Sequence, residues 1–286
     1  MKLVDVHAHL EHSRFEKDLD EVVDRFVEAG GELVVTSGVN PETNRKALEL
    51  AGKYDCVRVS FGLYPIDALA KEVEASSDFL REIKNFDVDE ELGWIEEHKD
   101  DCVAIGEVGL DYSDEVSSEG VRCQDSGVRM REKQKEVFRK VLRLAKRIDK
   151  CVVVHSRKAE GDAVEILEEE SRLDSEHQTG QGRLKVVMHC FNGRKSLIKR
   201  GVENGWFFSV PPVIVRLEHF KMLVSLVPLG QLLTETDAPY LSPVVGERNE
   251  PANVFVTLKE IARIKGLSVE EVSSVVFENF ERVFGG

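Results

Sequence analysis

The apolar positions of this 286-residue chain alternate between two periods. Short β-branched or apolar runs recur at Leu3–Val6, Leu33–Ser37, Val57–Phe61, Cys102–Gly106, Cys151–His155, Lys185–His189, Gly205–Val210 and Gln231–Glu235. Amphipathic stretches of helical period lie between them. The first, Phe15–Ala29, is stopped by Gly30-Gly31; the second opens with Asn40 as a cap and Pro41 at the first helical position. A capping box, Ser268-x-x-Glu271, starts a late helix. Strands that alternate with helices imply parallel pairing through right-handed crossovers. Eight such units in about 250 residues predict a closed (β/α)8 barrel of the TIM type, a single domain over 1–286. A doubly wound open sheet is the alternative, weakened because no Gly-rich phosphate loop follows the first strand. Residues 66–100 and 111–130 read as long connections at the carboxyl ends of strands three and four. Asp174–Gly182 reads as a polar loop at the opposite end.

Composition narrows the class without changing the fold. Hydrophobic residues make up 42% and charged residues 32%, as in a globular enzyme with a solvated outside. No apolar run approaches the roughly 18 to 20 residues that span a bilayer. Met-Lys-Leu-Val-Asp leads straight into a strand with no leader pattern, so a cytoplasmic location is expected. The five cysteines are scattered and form no Cys-x-x-Cys pair, which argues against a disulfide framework or a zinc ribbon. A formal net charge of −14 excludes a broad basic nucleic-acid surface. A polyanionic substrate would have to be held locally.

The candidate chemistry sits at strand ends, where barrels gather function. Alternation along the first strand points His7 and His9 together, about 6–7 Å apart at Cα, with Val4 and Val6 on the other face. Glu107 follows strand four, His155 ends strand five, His189 ends strand six and Asp237 follows strand eight. Four of the eight histidines thus fall at strand ends; His12, His98, His177 and His219 lie in polar or amphipathic segments and read as solvated. Taken singly, each strand-end residue also has a plain reading: a core histidine, a cap, a turn. Together, four imidazoles and two carboxylates at one end need cations between them. Six ligands are too many for one tetrahedral ion and suit two divalent ions roughly 3.5–4 Å apart, with Zn, Mn, Mg, Co or Ni as candidates. Arg157, Arg194, Lys195 and Arg248 follow strands five, six and eight, where guanidinium and ammonium groups can hold phosphates.

The motif strings in order resemble the TatD-like metal-dependent hydrolases, the TatD DNase family. They are Asp5-Val6-His7-Ala8-His9-Leu10, Gly106-Glu107-Val108-Gly109-Leu110-Asp111-Tyr112, His155-Ser156-Arg157, His189-Cys190-Phe191-Asn192-Gly193, Glu235-Thr236-Asp237-Ala238-Pro239-Tyr240 and Arg248-Asn249-Glu250-Pro251. The resemblance implies a barrel hydrolase with His7, His9 and Asp237 on one metal, His155 and His189 on a second, and Glu107 bridging. It also implies Asp237 as the base toward the attacking water and nucleic acid, DNA before RNA, as substrate. A metal-bridged hydroxide would be the nucleophile. One departure is Gly62-Leu63-Tyr64-Pro65, where the family commonly has His in place of Tyr64; a tyrosine there can hydrogen-bond a phosphate oxygen or simply pack at the rim. Competing readings are an amide, lactone or cyclic-imide hydrolase on a similar metal frame, or a catalytically silent metal-binding scaffold. Paired-metal enzymes of the amide-cleaving kind often carry a carboxylated lysine on strand four, where this chain has Glu107.

Overall fold

Eight parallel strands follow one another in chain order around a nearly closed barrel, β1 beside β2 and so on to β8. The structure, a computed structural model, describes residues 1–69, 86–113, 124–177 and 184–285. The strands are β1 (Leu3–Ala8), β2 (Gly31–Ser37), β3 (Val57–Leu63), β4 (Ala104–Asp111), β5 (Cys151–Arg157), β6 (Val186–Met188), β7 (Phe207–Val210) and β8 (Leu232–Thr234). The helices are α1 (Leu19–Glu28), α2 (Pro41–Lys53), α3 (Val88–Glu97), α4 (Gln124–Arg147), α5 (Glu160–His177), α6 (Lys195–Glu203), α7 (Glu218–Leu226), α8 (Val254–Lys265) and α9 (Val269–Phe284). Local chemistry sets the helix starts. The Asn40 side chain accepts from Thr43 N–H while Thr43 Oγ1 accepts from Asn40 N–H, with Pro41 in the first turn. The same reciprocal box at Ser268 and Glu271 starts α9. No helix among the described residues is long and apolar enough to cross a membrane.

Two apolar layers hold the barrel. The outer layer lies between strands and helices and includes Phe26, Phe61, Phe138 and Phe220. The inner layer draws Val4, Val6, Val35, Ala104, Cys151, Val153, Val187, Phe207 and Leu233 from seven strands, and Phe280, Val283 and Phe284 from α9. α9 therefore closes the amino-terminal floor of the barrel. It is also tied to the start of β1, where Ser273 Oγ accepts from Lys2 N–H and donates to Lys2 O.

Several boundaries differ from the sequence expectation. Val4 and Val6 do not oppose the histidine face; they lie in the inner layer below it. A register irregularity between Asp5 and Ala8 lets His7 and His9 turn inward above them. β4 starts later and runs on to Asp111, and a second irregularity between Ile105 and Val108 leaves Ile105 and Val108 in the outer layer on either side of Glu107. The segment expected as one helix, Phe15–Ala29, is a short 3-10 turn, Ser13–Phe15, followed by α1. The loop expected from Asp174 starts later, because α5 continues to His177; the rest of that loop, and parts of the connections 66–100 and 111–130, fall outside the described residues. Residues 88–97 of the first of those connections form α3. The β8–β1 seam is closed by Asp237 N–H donating to His7 O (2.8 Å) and His9 N–H to Ala238 O (2.7 Å). Buried Asp5 pins the same seam, accepting from the Thr236 backbone N–H and hydroxyl.

Candidate metal centre

The residues that converge at the carboxyl end do so because β1 and β4 are irregular there while β5 stays regular. β5 is regular: Cys151 and Val153 face the inner layer, and alternation carries His155 and Arg157 onto the same face. Packing of β4 against β5 is tight at this level. Gly109 has φ +140°, and a Cβ on it would meet the His155 carbonyl. Gly62 of β3 abuts the Glu107 backbone in the same way. Only glycine lets these backbones approach so closely.

Glu107 lies at the centre of the cluster. Its Oε2 is 3.6 Å from His7 Nε2 and 3.5 Å from His9 Nε2. Its Oε1 is 2.6 Å from His155 Nδ1 and 4.0 Å from His189 Nε2. Asp237 Oδ1 lies 3.6, 3.4 and 4.0 Å from Nε2 of His7, His9 and His189. Asp237, at φ +55°, follows β8 rather than ending it. Two overlapping ligand groups result, His7 with His9 and Asp237, and His7 with Glu107 and His189. His189 thus approaches His7 and Glu107 more closely than it approaches His155.

Second partners orient each ring. The Ser37 carbonyl can only accept, so the His9 nitrogen beside it at 2.9 Å, Nδ1, bears the proton and Nε2 is left for a ligand. The Ser37 hydroxyl lies 3.0 Å from His7 Nδ1. His7 Nε2 is buried and has no hydrogen-bond partner among the described residues. A lone pair buried without a donor beside two carboxylates is what a bound cation would satisfy, so the residues fit a metal ion. His189 Nδ1 donates to Glu235 Oε2 (2.6 Å). Glu235 is fully buried and also accepts from Ser209 Oγ and Cys190 N–H. Cys190 does not continue the strand: β6 stops at Met188 and Cys190 turns at φ +43°.

His155 sits between two carboxylates. Its Nε2 is 3.3 Å from Asp111 Oδ2, which also accepts from Tyr64 OH at 2.6 Å. Burial opposes charge on His155, but Glu107 and Asp111 outweigh it and lift the pKa to about 9. His189 follows the same pattern, burial being outweighed by Glu235, and rises to about 8. Burial and the nearby His189 instead push His7 down. Burial would raise Glu107, yet His155 and the other imidazoles hold it well below the usual carboxylate range.

The remaining expected residues divide. Arg157, Arg194 and Lys195 are exposed at this end, with no side-chain partner among the described residues. Arg248, expected among the phosphate-holding cations, is committed elsewhere: its guanidinium pairs with both Asp18 oxygens (2.7 and 2.5 Å) and donates to Arg14 O. Tyr64 turns its hydroxyl inward to Asp111. His12, His98 and His219 are half-buried and hydrogen-bonded rather than solvated, to Arg14 N–H, Trp94 O and Phe191 O. The His177 side chain is outside the described residues. Glu235, Asp111 and Ser37 were not anticipated. The first two had a signal: each lies an even number of residues from a named ligand, Glu235 two before Asp237 and Asp111 four after Glu107.

Fold and cluster together define a parallel α/β barrel with candidate metal-ligating groups gathered at its carboxyl mouth. A model of the TatD related DNase family matches residues 4–285, and the chain belongs to that family. The human protein named Deoxyribonuclease TATDN3 is 35% identical over 99% of this chain and 94% of its own length. An uncharacterized metal-dependent hydrolase of Methanocaldococcus jannaschii, MJ1582, is 32% identical over 99% and 97%. The crystal structure of the TatD homolog YJJV from Escherichia coli superposes with a TM-score of 0.78 at 23% identity, covering 99% of this chain and 98% of that one; it speaks to the fold.

Proposed function

We propose that the chain hydrolyses phosphodiester bonds of DNA with the help of two divalent ions. The observation that carries the two-ion reading is the division of Glu107, whose oxygens face different imidazoles, Oε2 toward His7 and His9, Oε1 toward His155 and His189. In this reading His7, His9 and Asp237 hold one ion, His155 and His189 the other, and Glu107 both. The second ion would take the place of the proton that now joins His155 to Glu107. When bound, the ions supply Lewis acidity and offset the charge of a phosphate. The chain's own groups do the rest. The Asp237 side chain is 16% exposed against 6% for Glu107, so it is the carboxylate that an attacking water reaches and the one placed to take its proton. Arg157 and Arg194 hold non-bridging phosphate oxygens, and Asp111 with Tyr64 steadies His155.

DNA is favoured by the unpartnered cations at the mouth and by the name of the human relative. The test is to strip the protein with a chelator and reload it with Zn, Mn, Mg, Co or Ni. Bound metal is then counted, and DNA, RNA, dipeptide and lactone substrates are assayed together. Two equivalents with restored DNA cleavage are expected. One equivalent at saturation overturns the two-ion reading, and amide or lactone cleavage with nucleic acid left intact overturns the phosphodiester one.

A further inference from the structure

The mouth of the barrel is chemically two-sided. Over β5 and β6 stand the exposed cations Arg157, Arg194 and Lys195. Over β7 and β8 stand exposed apolar groups: Val215, Leu217, Tyr240 (46% exposed), Val244 and Val245 (75%). Arg216 donates from its guanidinium to Ser242 O at 2.8 Å and so ties together, as one rim of the mouth, the β7 and β8 loops that carry these groups. Tyr240 is the member nearest the metal centre. Its ring centroid is 6.3 Å from that of His9, and its hydroxyl lies 3.1 Å from His12 Nε2, which anchors the ring beside the cluster. An exposed tyrosine ring that is anchored through its hydroxyl has a face to offer at little entropic cost.

We propose that this rim is a nucleobase subsite, in which the base next to the scissile phosphate stacks on Tyr240 and its sugar edge rests against Val244 and Val245. The division of the mouth supports it. A nucleotide is itself two-sided, an anion joined to a flat apolar ring, and cations beside an apolar shelf match that order across one metal centre. A substrate with an amide or lactone and no ring would leave the shelf unused. The occupant being a nucleotide, the subsite rests on the phosphodiester reading above.

The test pairs a protein change with a substrate change. Full-length protein is loaded with Ca2+ for equilibrium binding of a fluorescein-labelled oligothymidylate, and with Mn2+ for cleavage. Each substrate is made with bases throughout or with a base-free spacer flanking the scissile phosphate. Base–aromatic stacking predicts that wild type binds the base-bearing strand about tenfold or more tightly than the spacer strand. Tyr240→Ala is expected to lose that preference and bind both like the spacer strand, while Tyr240→Trp keeps it. Val245→Ser, at a position too exposed to affect folding, is expected to weaken binding of the base-bearing strand several-fold and to leave the spacer strand and the metal content unchanged. Retained base preference in Tyr240→Ala, or equal weakening on both substrates, overturns the subsite while leaving the phosphodiester reading standing. A wild type that binds and cleaves neither strand overturns both.

Discussion

Glu235 shows how much a single buried carboxylate can govern at a distance from any substrate. It takes hydrogen bonds from an imidazole, a hydroxyl and a backbone N–H at once, which leaves the His189 ring one orientation. Glu235→Gln keeps the volume and weakens the charge-assisted bond to Nδ1. Metal affinity is expected to fall about 10- to 100-fold, the usual cost of losing such a partner, as read by competition with a chromophoric chelator. Unchanged affinity would mean that His189 is not a ligand. At this scale the sequence was most informative where residue type and strand position coincide. His7, His9, Glu107, His155, His189 and Asp237 were all picked out as strand-end residues, and they do lie in one cluster. It was least informative about supports. Ser37 offers a carbonyl and a hydroxyl that any strand serine has, and Arg248 reads like its exposed neighbours until the fold brings Asp18 beside it.

Elements were legible through period and caps. Eight apolar runs gave the strand count, and the Asn40 and Ser268 caps mark helix starts that the structure places at the same residues. What period could not show was irregularity. The breaks in register in β1 and β4 change which face a side chain takes, and nothing in an alternating run announces where one residue slips. Asn40 is more than a cap, since its side-chain N–H also donates to buried Asp67 at 2.9 Å and so fixes the connection after β3. Asn40→Ala is expected to cost about 1–2 kcal/mol of stability in urea unfolding, from the lost cap and the lost hydrogen bond to Asp67. Bound metal should not change, because neither contact touches the cluster.

Across the whole molecule, the floor built by α9 and the mouth that carries the cluster are opposite ends of one inner layer. Phe280→Ala in that floor is expected to cost about 3–5 kcal/mol, measured by denaturant unfolding, and to leave metal affinity of the folded protein intact. The barrel topology itself was legible because eight units in chain order leave few ways to close. The role of the last helix was not, because its amphipathic period looks like that of the eight before it. Its position bears on the order of events when the protein is made. Every residue of the candidate metal cluster precedes α9 in the chain, yet the inner core is incomplete without Phe280, Val283 and Phe284, and Ser273 reaches back 271 residues to Lys2. Such distant pairing makes folding slow. A nascent chain on the ribosome would therefore carry all six candidate ligands while its barrel still stood open, and the cluster would come together late and all at once.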